Sequence, residues 1–186
     1  MVVALGRCAL ALTNEKTIQT TKVLNIGDIM SQVSKRSAGL LMYRRCNAEL
    51  EVFLVHPGGP FGAKKDLGAW SIPKGEYKEE EKAIDAAKRE FQEETGFPVT
   101  GELIKLGEIK QLGGKKVKAW AFEGDCDPTH LRSNTFSMEW PPRSGRQREF
   151  PEVDYGAWFT IVEARKRLKP AQCPFLDRLI AETLEK

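Results

Sequence analysis

Residues 75–97 read GEYKEEEKAIDAAKREFQEETGF, and this segment constrains the fold more than any other part of the chain. Ala83, Ile84, Ala87 and Phe91 recur at helical intervals, so the spacing predicts an amphipathic helix over residues 79–95 with one apolar stripe. Gly96 is placed to end that helix in a left-handed conformation that side chains resist, and Pro98 follows two residues on. With successive residues turned by about 100°, Glu90, Glu93 and Glu94 fall within an arc of about 100° beside the stripe. Three carboxylates therefore crowd the edge of a face that must be buried.

The segments around this helix read as strands. Residues 38–43 and 50–55 are apolar runs joined by the polar turn Arg44-Arg45-Cys46-Asn47-Ala48, which predicts a hairpin. Residues 56–68 are too rich in Gly and Pro for a regular element and carry the adjacent Lys64 and Lys65, so they read as a surface loop. Trp70-Ser71-Ile72 resumes a short strand before Pro73. Residues 102–110 and 115–122 form a second hairpin around Gly113-Gly114, and residues 123–151 read as a long irregular stretch. A strand over 153–161 and amphipathic helices over 162–168 and 174–186 close the chain. The order implies a mixed α/β arrangement with the helix packed on a sheet, and no internal repeat is present.

Residues 1–34 show no sustained period and are expected to be an N-terminal extension, flexible or a misassigned start, with the functional protein beginning near Met30. Residues 35–186 are the expected domain. A chain of 186 residues suits one core of good size. Lys and Arg total 29 against 26 Asp and Glu, and a net charge of +3 gives nucleic acid little support as a partner. The four cysteines form no C-x-x-C pair, so reduced thiols and a cytoplasmic location are the default. No apolar stretch approaches the roughly 18 residues of a membrane span, and Arg7 spoils residues 1–13 as a secretory signal. The sequence carries no signal for an oligomeric state.

A run of glutamates on a helix is ordinarily a solvated face. Here like charges at i, i+3 and i+4 repel by about a few tenths of a kcal/mol each, and a hard divalent cation is the natural compensation. The spacing settles the choice. Gly75, Glu81, Arg89, Glu90, Phe91, Glu93, Glu94, Gly96 and Phe97 fit the signature G-x5-E-x7-R-E-U-x-E-E-x-G-U, U being apolar, and the segment resembles that of the Nudix hydrolases. Its identities would coincide by chance on the order of once in 10⁸ start positions.

The resemblance implies an α/β/α sandwich with a mixed sheet and the catalytic helix packed on it. It implies that Glu90, Glu93 and Glu94, with the backbone carbonyl near Gly75, ligate Mg²⁺ or Mn²⁺, and that Arg89 and Glu81 pair to orient those carboxylates. Gly75 is expected where a loop turns tightly into the metal site. The reaction implied is hydrolysis of a nucleoside diphosphate linked to another moiety, in a nucleoside triphosphate or a dinucleoside polyphosphate, by metal-activated water. A nucleotide-sensing module that does not cleave, and removal of the 5′ pyrophosphate of RNA, are the rival readings.

Outside the signature, Lys74 adjoins Gly75 and is the foremost candidate for a phosphate contact, with Lys64 and Lys65 behind it. Arg143, Arg146 and Arg148 lie in the long stretch with Trp140 and Glu139, which are expected to form a substrate loop. Glu139 and Glu152 are candidates for an extra ligand or general base. Trp70, Trp120, Phe122 and Trp140 are candidates for stacking on a base, although aromatic residues in strands more often belong to the core. His56 and His130 have no ligand partner at useful spacing and stay outside the site.

Overall fold

A computed structural model describes residues 36–184. The expectations for the N-terminal extension and for Met30 fall outside those residues. The apolar run near the start becomes β1 (Arg36–Cys46), buried from Ser37 to Tyr43 as a central strand covered on both faces must be. It turns through Asn47 and Ala48, both at positive φ, into β2 (Glu49–Pro57), so the predicted five-residue turn is a two-residue one. β3 (Lys74–Glu76) precedes helix α1 (Ala83–Thr95). The second predicted hairpin is β4 (Ile104–Lys110) and β5 (Lys116–Glu123), joined by a 3₁₀ turn over Leu112–Gly114.

The sheet runs β4-β5-β1-β2-β8, where β8 is Val153–Thr160. It is mixed, because β1 lies parallel to β5 and antiparallel to β2. β2 pairs with β1 only from Tyr43 onward, while β3 takes the same edge of β1 through Ser37–Glu76, Ala38–Gly75 and Gly39–Lys74. That divergence opens the slot in which Gly75 sits. α1 covers one face through Ala86, Ala87 and Phe91 against Ala38, Leu40, Met42, Phe53, Val55 and Phe122. The opposite face, with Leu41, Tyr43, Val52 and Leu54, is closed by α2 (Ile161–Arg167) and α3 (Cys173–Leu184) through Ala164, Leu168, Phe175, Leu176 and Leu179. The three layers are the expected α/β/α sandwich. No helix among the described residues is long and apolar enough to cross a membrane.

Four local expectations are corrected. The helix starts at Ala83, not at residue 79; Lys82 is extended at ψ 132°, and residues 79–81 form a turn and a bend. Trp70-Ser71-Ile72 is not a strand but makes two isolated bridges, Ser71 to Val55 and Trp70 to Leu168. Ile161 opens α2 instead of ending the strand, since Thr160 caps the helix by accepting from the Glu163 N–H. The stretch 123–151 contains a hairpin, β6 (Thr135–Glu139) and β7 (Gln147–Pro151), apart from the main sheet. Its alternation is short and only half-buried, with Phe136 facing Phe150 across the ladder.

Candidate active site

α1 sets the site because its buried face carries a carboxylate. Glu90 is only 8% exposed and lies against Gly75, where an added Cβ would stand 1.8 Å from Glu90 Oε2. The glycine is thus required by close approach within β3, not by the tight turn expected of it. Burial raises the Glu90 carboxyl above its usual range while Arg89 opposes the rise. One turn on, Glu94 Oε2 accepts the Lys74 backbone N–H at 2.8 Å. Burial pushes Glu94 up to about 7, the Lys74 charge working against it and those of Glu90 and Glu152 with it.

Arg89 forks onto Glu81, Nε to Oε1 at 2.9 Å and Nη2 to Oε2 at 3.0 Å. That bond is the main reason Glu81 stays below its usual value and Arg89 rises above its own. The third nitrogen, Nη1, donates to Glu90 Oε1 at 2.7 Å and to Glu93 Oε2 at 3.0 Å. Among the described residues no three His, Cys, Asp or Glu side chains already converge on a metal position. The reason is visible: Arg89 Nη1 bridges Glu90 and Glu93, supplying the positive charge their proximity demands. The donor chemistry nevertheless fits a hard divalent ion, being carboxylate oxygen with one member, Glu94, half-buried and without a cationic side chain bonded to it.

Glu152 joins this edge from outside the signature. Asn134 N donates to Glu93 O at 3.0 Å, Glu152 N to Asn134 O at 2.9 Å, and Gly58 N to Glu152 O at 2.9 Å. This backbone chain ties the end of α1 to the junction of β7 and β8, and it brings the Glu152 charge to bear on Glu90 and Glu94.

Lys64 and Lys65 are exposed on a loop that is itself pinned. Both ring nitrogens of buried His56 face oxygen acceptors, Nδ1 with Asp154 Oδ1 at 2.7 Å and Nε2 with Lys65 O at 2.5 Å. Asp66 also accepts from Trp70 Nε1 at 2.9 Å. His56 therefore anchors the loop.

The candidates in the long stretch land on the β6–β7 hairpin. Glu139 Oε1 accepts the Gly145 N–H at 2.8 Å, so this carboxylate closes the turn, while Arg143 and Arg146 are exposed at its tip and Arg148 lies on β7. Trp140 packs edge-on to Phe61, centroids 5.4 Å apart, docking the hairpin over the Gly/Pro-rich loop. No hydrogen bond or ion pair joins the tip to Glu90, Glu93 or Glu94 among the described residues. Trp70, 2% exposed, and Phe122, fully buried, are core and unavailable for stacking, whereas Trp120 is half-buried. Sequence reasoning missed Lys169, which has no neighbouring pattern to mark it but stands close enough to Glu94 and Lys74 for both charges to act on its ammonium.

A helix that presents buried carboxylates, braced by an arginine fork, to the split edge of a mixed sheet defines a hydrolase of phosphoric anhydrides. The NUDIX domain profile matches residues 34–179, and the chain belongs to that family. Among solved structures, a C. elegans Ap4A hydrolase binary complex matches with TM-score 0.58 and 20% identity over 81% of this chain and 99% of that one. The NUDIX domain of Shewanella oneidensis NrtR complexed with ADP ribose matches with TM-score 0.58 and 12% identity, covering 86% of this chain and 99% of that one. A MutT protein from Methanosarcina mazei Go1 gives TM-score 0.52 and 19% identity over 80% and 94%. These likenesses concern the fold. No curated protein sequence matches the chain.

Proposed function

We propose that the chain hydrolyses a nucleoside diphosphate linked to another moiety, in a nucleoside triphosphate or a dinucleoside polyphosphate, with Mg²⁺ or Mn²⁺ and in the cytoplasm. The observation that carries the reading is the pairing of Glu90 and Glu93 through Arg89, with Glu90 packed against Gly75 and Glu94 accepting the neighbouring Lys74 N–H. A sensor that never cleaves has no use for this carboxylate set. The similarity to an Ap4A hydrolase supports a nucleotide anhydride as substrate.

Glu90, Glu93, Glu94 and the Gly75 carbonyl are the residues that would hold the ion. Bound there, a divalent ion neutralises diphosphate charge and lowers the pKa of a water that attacks phosphorus. The chain's own residues do the rest. Arg89 fixes Glu81 and orients Glu90 and Glu93 along the edge of the helix. Glu152, an exposed carboxylate facing Glu90 and Glu94, accepts the proton of the attacking water on its side-chain oxygen. Lys74 and, from the pinned loop, Lys64 and Lys65 meet the phosphates. Arg143, Arg146, Glu139 and Trp140 border the substrate as part of the docked hairpin.

The test is incubation of the purified full chain with Mg²⁺ and a panel of nucleotide anhydrides, the products being resolved by ion exchange. Glu93→Gln and Glu94→Gln should each lower kcat by at least about 10², the scale of losing transition-state charge stabilisation. Near-normal turnover in both variants sinks the assignment.

A further inference from the structure

After α2 the chain runs beside residues 70–72 and brings a lysine close to Glu94 and Lys74. Trp70 and Leu168 bridge in parallel, and Lys169 N donates to Trp70 O at 2.9 Å. Residues Pro170–Gln172 form a short 3₁₀ turn, and Gln172 Oε1 accepts the Ile72 N–H at 3.0 Å. The Lys169 backbone is thereby fixed against residues 70–72, two residues before the Lys74 N–H that Glu94 accepts. Its side chain is half-buried and, among the described residues, has neither a carboxylate partner nor a hydrogen bond.

The groups that face it are charged in the wrong balance. Burial, with repulsion from Lys74, Lys115 and Lys65, holds the Lys169 ammonium below the usual lysine value, and Glu94 works against the fall. Lys115 is itself paired, Nζ to Glu76 Oε1 at 2.9 Å. A partly desolvated cation without a partner, crowded by its own kind, is costly unless an anion arrives. Beyond Lys169 lies a cavity of about 650 Å³ between the β4–β5 turn and the 168–172 turn, lined by Lys110, Gln111, Leu112, Lys169, Pro170 and Ala171. Its size suits a small organic group, and Leu112 is fully exposed on it.

We propose that Lys169 is a substrate-positioning residue which, with Lys74, holds the phosphates beyond the scissile bond and directs the far end of the substrate into this cavity. The inference rests on the glutamate edge being the point of cleavage, and it adds to that reading the residue that selects for phosphates beyond the second. A diphosphate at that edge is already matched by the ion the carboxylates would hold, so the surplus lysines fit the phosphates that follow. Every added bridging phosphate brings one more negative charge toward Lys169.

The experiment compares the full chain with Lys169→Met, which keeps the aliphatic stem, and Lys169→Arg, which keeps the charge. The first readout is the ratio of kcat/KM for diadenosine tetraphosphate to that for ADP-ribose. It should fall about tenfold or more in Lys169→Met, through KM and not kcat, and recover in Lys169→Arg, as expected for one charge-assisted contact. The second readout is calorimetric binding of inorganic tripolyphosphate without metal, whose Kd should weaken about tenfold in Lys169→Met alone. An unchanged ratio with unchanged tripolyphosphate binding overturns the proposal, as does an equal loss on both substrates with a lowered melting temperature. If the parent chain cleaves neither substrate, the hydrolase reading fails, and the tripolyphosphate result still decides for or against Lys169.

Discussion

At the scale of single residues, the site is held together by charges that would rather be elsewhere, and Glu94 shows it most clearly. Its carboxyl is pushed up to about 7 in the fold against 4.5 in a free chain, so between those values the folded state binds a proton that the unfolded state has released. Metal-free stability from this group is therefore greatest below pH 4.5 and is lost as pH rises through 7, by about 3 kcal/mol in all. Glu94→Gln removes the buried charge and keeps an oxygen for the Lys74 N–H. In EDTA at pH 8 it should melt about 5 °C or more above the parent, the two curves meeting near pH 4.5; equal melting at pH 8 would show that Glu94 is not strained. The helical spacing announced this residue, but not its burial, which depends on β3 entering the slot beside β1. Nor could spacing find Lys169, brought to Glu94 from 75 residues away by the bridge between Trp70 and Leu168. The split among the aromatics has the same origin: Trp70 and Phe122 are core because they pack in the clusters on opposite sides of the sheet.

At the scale of elements, the late start of α1 follows from the pairing of Arg89 with Glu81. Were residues 79–82 helical, these eight positions would span about 12 Å along the axis, beyond the reach of a bidentate pair. Unwinding before Ala83 lets Glu81 fold back onto the fork, and the loss of one helical turn is offset by two hydrogen bonds from a guanidinium. Periodicity reports apolar residues and is blind to such a pair, which is why the helix was legible and its first turn was not. The β6–β7 hairpin escaped for a different reason, its faces being too exposed to leave a clear alternation. Arg89→Ala frees Glu81 and leaves Glu90, almost fully buried, and Glu93 without their cation. Stability should drop by about 2 kcal/mol, a melting point lower by about 4–8 °C, and kcat should fall with it. Loss of activity at an unchanged melting temperature would instead make Arg89 a direct substrate contact.

At the scale of the molecule, the glutamate edge, Lys74 and Lys169 are gathered by one sheet, while the β6–β7 hairpin stands apart from it. β1 carries β5 on one edge and, on the other, β2 and then β3. α1, which carries the glutamates, closes one face, and the turn after α2, which packs on the opposite face, delivers Lys169. Each of these pieces lies between Arg36 and Leu184, and the family match begins at residue 34. The sandwich was legible because its central strands are long apolar runs and its glutamate-bearing helix carries a distinctive spacing. Residues 1–34 offered no period from which to argue. We therefore propose that residues 1–29 add nothing to catalysis. A chain of residues 30–186 keeps the lead into β1, and its 157 residues suffice for one full core. Its kcat/KM should stay within about twofold of the full chain and its melting temperature within about 2 °C, since a shift smaller than that corresponds to less than about 1 kcal/mol. A large loss of either would mean that the first 29 residues pack on the sandwich or shape its site.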